Sequence, residues 1–101
     1  MKTMRKLYDQ TCEEAESCIC YSKCAMEYSV SDPELSRMYL GMAKTEMSHA
    51  QQLDAMTMRK AASKKDETVD PMLMELWEEM HSDLLDKMAH AKAYLEMAQS
   101  A

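Results

Sequence analysis

Glu46 and His49 stand three residues apart in the stretch Glu46-Met47-Ser48-His49, a spacing that puts both side chains on one face of a helix. From there the carboxylate can offer an oxygen, and the neutral imidazole a nitrogen, to a single metal ion. One such pair says little by itself, because Glu and His are common helix residues. It says more when the apolar seam of the helix runs through it, since ionisable side chains seldom face a core without a partner. The seam over residues 33–62 reads Leu35, Tyr39, Met42, Glu46, His49, Leu53, Met56, and the pair lies on it.

The elements that must hold this pair are helical. One Gly, two Pro and thirteen Met, beside plentiful Ala, Leu, Glu and Lys, make an all-α composition. Asp32-Pro33 sets an N-cap Asp before a Pro at the first helical position, and Asp70-Pro71 repeats the device. Tyr28-Ser29-Val30-Ser31 precedes the first, and the polar run Ser63-Lys64-Lys65-Asp66-Glu67-Thr68 precedes the second. The sequence therefore predicts helices over 3–29, 33–62 and 71–99, each roughly 40–45 Å long, in one domain spanning 1–101. The expected fold is an antiparallel hairpin plus a third long helix.

The first helix carries a seam through Met4, Leu7, Thr11, Glu14, Cys18, Tyr21, Ala25 and Tyr28, with a second stripe through Tyr8, Cys12, Ala15, Ile19 and Met26. Two stripes imply neighbours on more than one side. The third helix reads Met74, Trp77, His81, Leu84, Met88, Ala91, Leu95, Ala98. The main polar interruptions are Glu14, Glu46, His49 and His81. A hairpin turning near residue 31 sets Glu14 level with residues 48–49, so seam and level independently bring Glu14 to Glu46 and His49. The same construction for the second turn sets His81 beside residue 52, about one turn from His49. Asp83 and Asp86 share that level but lie off the seam.

Two carboxylates and an imidazole are three ligands, with coordination left over for solvent, substrate or a second subunit. Oxygen-rich ligation with one His suits Fe or Mn and admits Zn. Unpaired carboxylates are too costly to bury bare, and the plainer readings are a Glu–His cluster held by hydrogen bonds or a seam whose true phase lies one position away. Glu78-Glu79-Met80-His81 is formally a second Glu-x-x-His, but Glu78 lies off the seam. His81 is therefore the weaker metal candidate, and His90 reads as a surface residue.

All four cysteines, Cys12, Cys18, Cys20 and Cys24, fall within thirteen residues of one helix, where disulfide geometry is poor. Reduced, buried thiols are the plain expectation. Thiolates are soft ligands for Cu(I) or Zn, so one alternative function is a Zn/Cu-binding helical module using Cys20, Cys24 and a His. Another is a non-catalytic interaction protein with Met-rich faces. A net charge of −6 disfavours nucleic acid as a partner. No run approaches a membrane span of about 20 apolar residues, and no apolar segment follows the basic N-terminus as in a signal peptide. A cytoplasmic location is expected on these grounds. A chain this small also invites self-association.

The stretches Glu13-Glu14-Ala15-Glu16-Ser17-Cys18-Ile19-Cys20-Tyr21, Asp32-Pro33-Glu34-Leu35 and Glu46-Met47-Ser48-His49-Ala50 together resemble the ferritin-like superfamily in its rubrerythrin-type pattern. Within it they are most similar to the encapsulated, half-length ferritins, and the likeness spans residues 7–56. The resemblance implies a bundle completed by dimerisation, as a homodimer or a higher homo-oligomer, with four Glu and two His around two irons. Glu14 matches the bridging carboxylate, and Glu46 and His49 match the Glu-x-x-His pair. It also implies ferroxidase-type oxidation of Fe(II) by oxygen or peroxide, with Tyr21 and Tyr39 near enough to modulate redox chemistry. An encapsulin shell would be a further partner, although Tyr94–Ala101 does not look like a targeting tail. The third helix is longer than in those ferritins, so either it or a second chain could close the bundle.

Overall fold

The computed structural model describes residues 2–64 and 71–101. Helices α1 (Lys2–Glu27), α2 (Pro33–Lys64) and α3 (Pro71–Ser100) account for nearly all of them, and no strand occurs among the described residues. The three expected helices are present. α1 stops two residues early because Tyr28, Ser29 and Asp32 turn the chain: Tyr28 N–H bonds the Cys24 carbonyl at 3.1 Å and Asp32 N–H bonds the Tyr28 carbonyl at 3.0 Å. The Ser29 hydroxyl also donates to the Met26 carbonyl at 2.9 Å. Asp32 then caps α2 as its position suggests, accepting the Leu35 N–H at 3.1 Å, one of the orphan donors of a helix start. The Ser36 hydroxyl reaches across the turn to the Ala25 carbonyl and ties the two helix ends together. α2 runs two residues into the expected polar loop, to Lys64. The Asp70 cap lies outside the described residues.

α1 is the central helix. It packs along α2 as an antiparallel hairpin and along α3 as a parallel neighbour, while α2 and α3 meet less. The parallel register shows in contacts at nearly the same offset, 73 residues for Cys18 to Ala91 and 71 for Glu16 to Lys87. The Cα trace spans 57 × 17 × 17 Å with a radius of gyration of 16.2 Å, above the roughly 13 Å of a compact chain this long. The molecule is a rod with a thin core.

That core has two parts. The larger joins Ala15 and Cys18 of α1 to Ala43 and Met47 of α2 and to Ala91 and Leu95 of α3; the smaller joins Met4, Ala61 and Trp77 at one end. Small side chains let α1 and α2 approach closely. Thr11 and Thr57 are fully buried because each hydroxyl donates 2.7 Å to the carbonyl four residues back, which removes the penalty of a bare buried hydroxyl.

The expected seam of α3 holds all its buried residues, and the two expected rows of α1 hold every buried residue of that helix except Ser22. In α2 the buried row is Ala43, Met47, Ala50, Thr57 and Ala61, one position along from the expected seam. The bulky row Leu35, Tyr39, Met42, Leu53, Met56 borders it and stays half-exposed, with Met42 at 37% and Met56 at 39%. The reason is steric: close α1–α2 contact selects the small row, and the large side chains are displaced to its border, where Leu53 and Met56 line an open cleft between the two helices.

Candidate metal centre

Glu14 sits mid-way along α1, on the row that also carries buried Thr11 and Cys18. The α1–α2 hairpin lays it level with Glu46 and His49, which α2 presents one turn apart. One ligand atom from each of the three lies within 4.8 Å of the others, the only such group of His, Cys and carboxylate side chains among the described residues. The three residues singled out by seam and level are thus brought together.

The cluster is not a hydrogen-bonded core patch. His49 Nδ1 stands 3.7 Å from Glu14 Oε2, ion-pair distance but beyond a hydrogen bond. Glu14 Oε2 is itself buried and has no hydrogen-bond partner. The imidazole is half-exposed, at 50%, against 29% for the Glu14 side chain. Beside the cluster lies a cleft of about 490 Å³ between α1 and α2, walled by Leu7, Gln10, Glu13, Gln52, Leu53 and Met56 as well as Glu14 and His49, and open to solvent. The arrangement is two hard oxygen donors and one nitrogen converging beside an opening, with one oxygen left unsatisfied. A divalent cation fits it, since a buried carboxylate oxygen without a partner is costly and a metal would satisfy it.

His81 is not part of this group. Its Nε2 lies 3.2 Å from Asp54 Oδ1 across the α2–α3 contact, and its ring stacks on Trp77 with centroids 5.1 Å apart. Both partners are largely buried, at 17% and 20%. The expected level beside residue 52 was close, but the side chain turns to Asp54. His90 is exposed, as expected.

Beyond the cleft, Tyr39 of α2 stacks between two rings of the α1 side, Tyr21 at 6.2 Å and Tyr28 at 6.1 Å. All four cysteines are free thiols. Cys18 is fully buried; its sulfur lies 3.9 Å from the Ala91 carbonyl, and burial pushes its pKa up. Asp54 and the three-ring stack were not singled out from sequence. Asp54 had one signal, its nearness to the level assigned to His81; for the stack, Tyr21 and Tyr39 on facing seams were the only hint.

Comparison with known proteins gives no matching family model, no matching curated protein and no matching solved structure, so the site's chemistry has to be argued from these residues.

Proposed function

We propose that the chain is a ferritin-like carboxylate protein that binds Fe(II) through Glu14, Glu46 and His49 and oxidises it with oxygen or peroxide. The observation that carries this reading is Glu14 Oε2, buried, without a hydrogen bond, and converging with Glu46 and His49. Two carboxylate oxygens and an imidazole suit iron or manganese better than soft metals. Anionic oxygen ligands also stabilise Fe(III) over Fe(II), which favours loss of the electron. With peroxide the balance is two Fe(II) giving up one electron each, and one peroxide taking two electrons and two protons to become two waters.

Three ligands do not saturate one iron, and a single cluster does not make a pair. A second copy laid on the α1–α2 side supplies the missing half, giving four Glu and two His around two metals, the constellation of di-metal helical bundles. Support comes from the bulky α2 row left half-exposed on that side, with Met38 at 50% beside Met42 and Met56. Dimerisation on this face covers what remains exposed of those side chains, half or less of each, and so gains about half or less of the roughly 1.5–3 kcal/mol of a full burial.

The test is the rate of Fe(II) loss on adding peroxide, followed with a ferrous-specific chelator. Wild type accelerates the loss over buffer, and Glu46→Ala and His49→Ala return it to the buffer rate. Equal rates for wild type and both variants would remove the oxidase reading.

A further inference from the structure

Cys20 and Cys24 are one turn apart on α1, and the iron reading leaves them without a role. Cys20 is exposed and Cys24 half-buried. We infer that they form a two-thiolate site for a soft monovalent cation of the Cu(I) type.

The helix decides against the obvious alternative. Side chains four residues apart hold their Cβ atoms about 5–6 Å from each other, whereas a disulfide needs roughly 3.5–4.5 Å. Bridging the pair covalently would distort a helix that is regular through this stretch. A metal held between two sulfurs instead separates them by two metal–sulfur bonds, about 4.6 Å on the zinc value. Cβ atoms about 5–6 Å apart on one helix face leave both sulfurs able to reach a single ion at that separation.

The surroundings select the ion. Zinc in a structural site takes four ligands, and the only three donor side chains close enough to share an ion among the described residues are Glu14, Glu46 and His49; Glu27, the charged neighbour of Cys24, offers hard oxygen that a soft ion disfavours. His81 is engaged with Asp54, and the Cys18 sulfur faces the Ala91 carbonyl. Cys12 stands two turns before Cys20, beside Tyr8. A pair of thiolates with nothing else satisfies a d¹⁰ monovalent ion, which accepts two-coordination and prefers sulfur. Tyr39, fixed by its stacking with Tyr21 and Tyr28, feels both thiols electrostatically, and burial followed by these neighbours pushes its own pKa up. Binding replaces two S–H protons by one Cu(I), releases both protons and involves no change of oxidation state.

The proposal uses none of the iron ligands, so either site can fail alone. The test is anaerobic withdrawal of Cu(I) from its coloured bicinchoninate complex by the reduced full-length protein. Wild type, Cys12→Ser and Glu46→Ala should each remove one Cu(I) per chain. Cys20→Ser and Cys24→Ser should bind more weakly by at least about tenfold, the loss that even outer-shell substitutions cause. Helicity measured by circular dichroism identifies a variant that has failed to fold. Alkylation of the wild type supplies a second reading independent of any variant, in which Cu(I) protects Cys20 and Cys24 together. No withdrawal by wild type, withdrawal undiminished in the double Cys20/Cys24 variant, or protection of Cys12 alone would overturn the assignment.

Discussion

Asp54 Oδ1 and His81 Nε2 lie 3.2 Å apart across the sparsest of the three helix contacts. The pair is a polar clasp holding α3 to α2, and the Trp77 ring covers its imidazole.

Removing the carboxylate should therefore loosen α3. Asp54→Ala is expected to cost about 1–3 kcal/mol, the range for leaving a largely buried polar partner unsatisfied. Trp77 is the only tryptophan, so urea unfolding followed by its fluorescence reads the change directly. The native emission should also shift, because the stacked imidazole gains freedom. An unchanged midpoint and spectrum would mean the clasp carries no load.

Glu14 should behave in the opposite way while metal is absent. Its Oε2 is buried without a hydrogen bond, with only His49 Nδ1 at ion-pair distance, so Glu14→Gln, which removes the charge and keeps the shape, is expected to leave the metal-free protein at least as stable as wild type. Added Fe(II) reverses the ranking, since only wild type gains binding free energy in the folded state. Thermal melts of both proteins with and without Fe(II) under anaerobic conditions check the crossover.

The buried thiol of Cys18 sets a pH dependence. Burial raises its pKa from the ordinary 9.0. In a window above pH 9 the unfolded chain has lost a proton that the folded chain keeps. Stability is thus full below that window and falls as pH rises through it. Cys18→Ala should flatten part of this fall, with Cys24, Tyr8 and Tyr39 shifted the same way and supplying the rest. Urea midpoints at pH 8 and pH 10 measure it. Alkylation should likewise reach exposed Cys20 first and Cys18 last.

The half-exposed α2 row makes the dimer testable without touching a ligand. Met42→Lys places a charge on the open side, away from the buried row. It should leave helicity intact, shift the mass to that of a single chain, and lower iron uptake with it. A charged variant that keeps the oligomer would move the interface elsewhere.

These outcomes bear on what the sequence could and could not convey. The Asp32 cap was legible because its chemistry is local, as were the seams of α1 and α3. Glu14, Glu46 and His49 were legible because hairpin level depends only on helix rise and turn position. The phase of α2 was not. Two adjacent rows compete there, and periodicity favours the bulky one although close packing on α1 selects Ala43, Met47 and Ala50. The same displacement explains why His49 is half-exposed beside a cleft rather than enclosed within one chain. The His81–Asp54 contact and the Tyr21–Tyr39–Tyr28 stack depend on side-chain directions across helices, which spacing along one helix does not encode.

The most direct measurement is an anaerobic Fe(II) titration of metal-free protein, followed by air, with near-ultraviolet absorbance and native mass recorded together. Saturation at one iron per chain, a ferric band on exposure to air and a mass of two chains or a multiple of two are the expected results, with uptake lost in Glu46→Ala. Wild type that takes up no iron, or Glu46→Ala that takes up as much, would contradict the assignment of Glu14, Glu46 and His49 as an iron site.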